Sequence, residues 1–143
     1  MDIEMSSVPV AGGGQLVASS TAERIGRVLM WVAAGSAVAA AASAVGLVVD
    51  SEAGVRVVET WRAYGLMVFA GLFALLAWRP QAYRGVWELV IFHKVALTVT
   101  AVGYAMTGDV PGTGQILVWD GGLSALLIVA YLLCRGWRSG VRG

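Results

Sequence analysis

Long apolar stretches separated by short polar ones set the plan of this chain. Four runs stand out, each close to the roughly 20 residues that a helix needs to cross about 30 Å of hydrocarbon. They predict helices over about residues 22–49, 55–79, 81–106 and 115–134. The expected fold class is all-α: a polytopic membrane protein built as a four-transmembrane-helix bundle. The runs take up nearly the whole chain, so one domain over 22–137 is expected, without a soluble module.

The breaks between the runs carry recognisable signals. Ser20-Thr21-Ala22-Glu23 fits a capping box, which starts the first helix near Ala22 and leaves residues 1–21 as a flexible tail. That tail opens on the acids Asp2 and Glu4, unlike the basic start of a secretory signal, so the first apolar segment is expected to stay in the mature protein. Within it Gly35, Ala39, Ala42, Ser43 and Gly46 share one face. Such small-xxx-small faces let helix backbones approach closely in lipid. Packing inside the bundle is expected of this face, with a homodimer contact as the alternative.

Glu52, Arg56, Glu59 and Arg62 recur at helical spacing in the order that favours acid-to-base pairing at the start of the second helix. Trp61 and Tyr64 suit an aromatic belt at that end, with Trp78 and Arg79 at the other. Pro80 ends this helix and suits the first turn of the next. Residues 107–114, rich in Gly and Pro, form the last turn, and Gly136 stops the fourth helix ahead of a basic tail over 138–143.

Composition agrees with the pattern. The 143 residues are 58% hydrophobic and only 13% charged, against roughly 25% charged in a soluble domain. Net charge is +1, and the basic residues form no stripe interleaved with aromatics, which argues against nucleic-acid binding. Cys134 is the single cysteine, so an intrachain disulfide, a Cys-x-x-Cys pair and a thiolate zinc site are excluded. It reads as a small packed residue rather than a lipidation site. Arg24, Arg27, Arg79, Arg84, Arg135, Arg138 and Arg142 flank one side of the predicted spans, and only Arg56 and Arg62 the other. The positive-inside rule then places both termini in the cytoplasm, in the cell's inner membrane.

The chemistry of interest lies in Trp87-Glu88-Leu89-Val90-Ile91-Phe92-His93-Lys94, which puts an acid, an imidazole and an ammonium in an apolar run. Intramembrane charges cost about 2.5 to 3.5 kcal/mol each on insertion scales, and they are normally kept in a bundle interior for a function. Asp120 is the matching acid on the fourth helix. Lys94 and Asp120 differ by roughly 10 Å in expected depth, so direct contact needs helix tilt or a bridging water. At about 100° per residue, Trp87, Lys94, Thr98 and Ala101 form one stripe, with His93, Leu97, Thr100 and Tyr104 beside it. Asp120, Ser124, Leu127 and Tyr131 form a stripe on the fourth helix. Glu88, about 120° round from Lys94, is better placed for Arg84.

Glu88, Lys94 and Asp120 are therefore the candidate catalytic groups, and Trp87, His93, Thr98, Tyr104, Ser124 and Tyr131 the candidate ligand-binding ones. Their plainer roles are ion pairs: Glu88 with Arg84, Asp120 with Arg62, and Lys94 bent along its methylene stem toward the interface. No metal site is expected, because no carboxylate lies three or four residues from His93. No cofactor is expected either. Haem would need a second subunit to supply its other ligand.

The four-span plan resembles the DoxX-like group of small bacterial four-helix membrane proteins. The likeness covers roughly residues 25 to 134. Arg62-Ala63-Tyr64-Gly65 corresponds to the segment that opens the second helix, and Glu88 and Lys94 to the acid and lysine that can occur in the third. The resemblance implies a fold more than an activity, since the group includes accessory subunits of membrane oxidoreductases. Its redox members with paired cysteines are not matched.

Three functions stay open on this reading. One is a membrane protein whose polar cluster binds a lipophilic small molecule, quinone-like or isoprenoid, or a partner subunit. Another is an acid/base isomerase or cyclase acting on an isoprenoid-like substrate, and the third is a proton-coupled transporter, as a homodimer. The lipid bilayer is the partner common to all three.

Overall fold

A computed structural model describes residues 13–83, 85–108 and 110–138, with side chains from residue 20 onward. Four helices follow one another: α1 (Gly13–Asp50), α2 (Ala53–Trp78), α3 (Val86–Thr107) and α4 (Thr113–Leu133), closed by a 3-10 turn at Gly136–Arg138. All four contain a stretch long and apolar enough to cross a membrane. The described chain is an all-helical bundle of four candidate spans, that of a small multi-pass integral membrane protein.

Two boundaries differ from the sequence expectation. Helix α1 runs unbroken from Gly13 through Ser20–Glu23, so no helix start lies at the expected capping box. The amides that a cap would serve belong to an interior turn and are bonded four residues back. The tail expected over 1–21 therefore loses its last residues to α1, and 1–12 lie outside the described residues, as do Arg84 and 139–143 of the basic tail. Helix α3 begins at Val86 rather than near Gln81, since Pro80–Tyr83 turn first and Gly85, at φ 79°, supplies a left-handed residue just before the helix.

The helices pack as two hairpins. The pairing of α1 with α2 is the most extensive, α3 pairs with α4, α1 also meets α4, and α2 touches α3 sparsely. On α1 the buried residues are Gly26, Met30, Ala33, Ala34, Ala37, Ala41 and Ala44. This corrects the expectation for the glycine-containing face: Gly35, Ala39, Ala42, Ser43 and Gly46 all face outward. A Cβ built at Gly35 or Gly46 would meet nothing within 4 Å. The close-packing rule holds, but alanines satisfy it against α2 and Gly26 against α4. With small residues nearly all round α1, their spacing does not say which stripe meets α2, and the partner's larger groups, Phe73 and Leu76, decide.

The core lies toward the end of the bundle where α1 starts and α4 finishes, here the proximal end. Trp87, Phe73, Met30, Leu76, Leu127, Val90 and Cys134 are fully buried. Side chains seal the same end by donating to backbone carbonyls at helix ends and in the turn after α2: Arg27 Nε to Ala77 O (2.9 Å), Gln81 Nε2 to Cys134 O (3.0 Å) and Trp87 Nε1 to Pro80 O (2.7 Å). Large apolar side chains such as Val32, Val68, Phe92, Val99 and Val118 cover the exterior. Trp61 and Trp119 are exposed toward the distal end, and Trp78 and Trp137 toward the proximal one, as two aromatic belts would be.

Candidate functional site

The polar groups of α3 divide into two clusters on different flanks. The first is the pair that sequence depth had set apart. Lys94 Nζ donates to Asp120 Oδ1 at 2.6 Å, with only 7% and 15% of the two side chains exposed. The flexible four-carbon stem of lysine spans the offset without a bridging water. Around the pair, Thr98 Oγ1 donates to Lys94 O at 2.8 Å and Ser124 Oγ to Asp120 O at 2.7 Å. The two hydroxyls are 3.5 Å apart, which continues a polar layer between α3 and α4. Phe69 of α2 completes the setting: Lys94 Nζ stands 4.7 Å from its ring centroid, and the His93 ring lies against it, tilted by 39°, at 4.5 Å between centroids. Here, where α2 and α3 otherwise meet little, a benzene ring takes both a cation and an imidazole.

The second cluster is at the proximal end. Tyr131 OH donates to Glu88 Oε1 at 3.1 Å. The Tyr131 ring is edge-on to Trp87 and to Trp137, each at 5.8 Å between centroids. Gly136 makes this possible, because a Cβ there would lie within 3.0 Å of Trp87 Cδ1 and closer still to the Tyr131 ring. Glu88 and Tyr131 stand at one end of a groove of about 500 Å³ between α3 and α4, whose other lining residues are Ile91, Phe92, Val95, Ile128 and Leu132.

The structure thus brings together Lys94, Asp120, Thr98, Ser124 and His93, and separately Glu88, Tyr131 and Trp87. Glu88 does not join Lys94. Tyr104, roughly 15 Å along α3 from Lys94, belongs to neither cluster and is half exposed. The alternative pairing of Asp120 with Arg62 is not made, for Arg62 binds Glu59 at 2.6 Å. The pairing of Glu88 with Arg84 lies outside the described residues. Sequence reasoning missed Phe69 and the groove-lining residues, which carry no polar signal in an apolar helix.

Cys134 is buried, its Sγ 3.8 Å from Glu23 O, and burial foremost, then the Glu23 charge, pushes its thiol up to about 11 against a pull from Arg27. A thiol so held is protonated at neutral pH and is neither nucleophile nor ligand. Among the described residues no three His, Cys, Asp or Glu side chains converge as a metal would require.

Chemically the two clusters differ. In the Lys94–Asp120 pair each charge is committed to the other and excluded from water, so acid or base work by either would first require the pair to open. The Glu88–Tyr131 pair stands at the mouth of an apolar groove. No family model matches the chain, and no curated protein or solved structure matches it either. The DoxX-like resemblance therefore rests on the pattern of segments alone.

Proposed function

We propose that this membrane protein binds a lipophilic small molecule in the groove between α3 and α4, with the polar head at Glu88 and Tyr131. One observation carries the reading. An apolar concavity ends in two convergent polar groups, which is the common build of a small-molecule site. In this account the Lys94–Asp120 pair holds α3 against α4 and sets the groove's width. We place the proximal end, with Arg24, Arg27, Arg79, Arg135 and Arg138, in the cytoplasm.

Photolabelling tests the site. A dodecanol carrying a diazirine in its chain, added to the protein in phosphatidylcholine nanodiscs, is expected to label peptides containing residues 91–95 and 128–132. Ile128→Trp, which fills the groove, should remove that labelling. Even labelling around the whole apolar exterior, unchanged in the variant, would refute the assignment.

A second reading, self-association through α1, is favoured by the outward Gly35–Gly46 face. Energy transfer between labelled copies in liposomes would detect it, and Gly35→Leu with Gly46→Leu should abolish the signal if that face is the contact.

A further inference from the structure

The arginines of the proximal end outnumber the groups that could neutralise them. Arg24 and Arg27 of α1, Arg79 after α2, and Arg135 and Arg138 after α4 stand there, while the ion pairs among the described residues, Glu59–Arg62 and Lys94–Asp120, lie elsewhere. The segments flanking this side hold seven arginines and four acids, Asp2, Glu4, Glu23 and Glu88, in the full sequence. Complete pairing, with Arg84 and the tail acids included, would still leave guanidiniums over.

Three of these arginines come from segments that the fold ties together. Arg27 Nε donates to Ala77 O at 2.9 Å, two residues before Arg79. Gln81 Nε2, two residues after Arg79, donates to Cys134 O at 3.0 Å, next to Arg135. The triangle closes at Gly26 and Cys134, the neighbours of Arg27 and Arg135, for a Cβ on Gly26 would lie 2.5 Å from Cys134 Sγ. Anchoring through Nε leaves both Nη groups of Arg27, four N–H donors, without an acceptor among the described residues. Arg135 adds an independent sign. It holds φ 53°, in the left-handed region, at the position after the α4 cap where glycine is the ordinary choice, and Gly136 is the very next residue. A bulky residue kept in that strained backbone points to a use for its side chain.

Height decides the kind of anion. Trp78 and Trp137, both exposed, adjoin Arg79 and Arg138. Tryptophans flanking a span sit at headgroup level, where guanidiniums meet lipid phosphates and bind them through paired N–H bonds. In a zwitterionic lipid the head's own ammonium already offsets the phosphate. We infer that Arg27, Arg79 and Arg135 form a binding site for the head of a phospholipid of net negative charge, its acyl chains running past the exposed Val28 and Val32 of α1. The groove between α3 and α4 takes no part in this site.

Native mass spectrometry of the full chain in detergent, with dioleoyl phosphatidylglycerol or dioleoyl phosphatidylcholine added, counts the bound lipids and gives their affinities. One phosphatidylglycerol is expected to bind roughly tenfold more tightly than phosphatidylcholine. Arg79→Gln should lower the phosphatidylglycerol affinity roughly fivefold, whereas Arg138→Gln, the same charge lost at the same end outside the cluster, should lower it less than about twofold. Arg135→Gly separates binding from folding: affinity should fall roughly fivefold while the unfolding midpoint does not fall, because the left-handed backbone is relieved. Equal affinity for the two lipids leaves no anion preference and overturns the site. Equal losses in Arg79→Gln and Arg138→Gln leave only a diffuse positive rim and overturn it too, as does parent-level binding in Arg135→Gly. Displacement of phosphatidylglycerol by millimolar inorganic phosphate would make the occupant a soluble anion and overturn the lipid.

Discussion

Removing one member of the Lys94–Asp120 pair should cost far more than removing both. In Asp120→Leu the Lys94 ammonium remains between α3 and α4, 7% exposed, beside the Phe69 ring and without its counter-charge. A lone charge at a helix centre costs about 2.5 to 3.5 kcal/mol by insertion, and truncating one partner of a buried pair about 3 to 5 kcal/mol. Both members are largely shielded from solvent, so little of this is lost to screening. We expect about 3 kcal/mol of destabilisation for Asp120→Leu and a similar loss for Lys94→Met, which keeps the length of the stem. The double variant Lys94→Met/Asp120→Leu buries no charge and should lie within about 1 kcal/mol of the parent, in line with the roughly 0.6 kcal/mol average for polar contacts between membrane helices. Reversible unfolding in mixed micelles, titrated with dodecyl sulfate, measures all four corners of the cycle. If the single losses simply add in the double variant, the two charges are not coupled. If Asp120→Leu is nearly neutral, the ammonium reaches the interface along its stem and the buried pair is not its resting place.

Other outcomes follow from the proximal end. Gly26→Ala would place a methyl 2.5 Å from Cys134 Sγ and 3.2 Å from Ala130 O, at an expected loss of about 1 to 3 kcal/mol, part of which Cys134→Ala should restore in the same unfolding assay. The Cys134 thiol, pushed up to about 11, should resist maleimide at pH 7 in the folded protein and react once it is unfolded. Because this acid keeps its proton when folded, its contribution to stability is complete below its ordinary value of 9.0 and is lost as pH rises toward 11; Cys134→Ala should flatten that part of the pH profile. Trp87→Phe removes the 2.7 Å bond to Pro80 O and should cost about 1 kcal/mol, visible as a lower unfolding midpoint.

Residue order alone determined the architecture, because lipid constrains it so tightly. A backbone crossing hydrocarbon has to satisfy its polar groups internally, so apolar runs of this length become helices, and their number and the turns between them follow. The stripe of Trp87, Lys94 and Ala101 was legible for a related reason: a charge in the membrane marks the face that turns inward. Tertiary packing decided the rest. Which small-residue stripe of α1 meets α2 depends on Phe73 and Leu76 across the seam, and all sides of α1 look alike in one dimension. Whether Lys94 reaches Asp120 depends on the approach of two helices whose positions in sequence imply a depth offset. The division of Glu88 from Lys94, and the groove beside Glu88, arise from side chains that would be indistinguishable from lipid-facing ones until α4 is laid against α3.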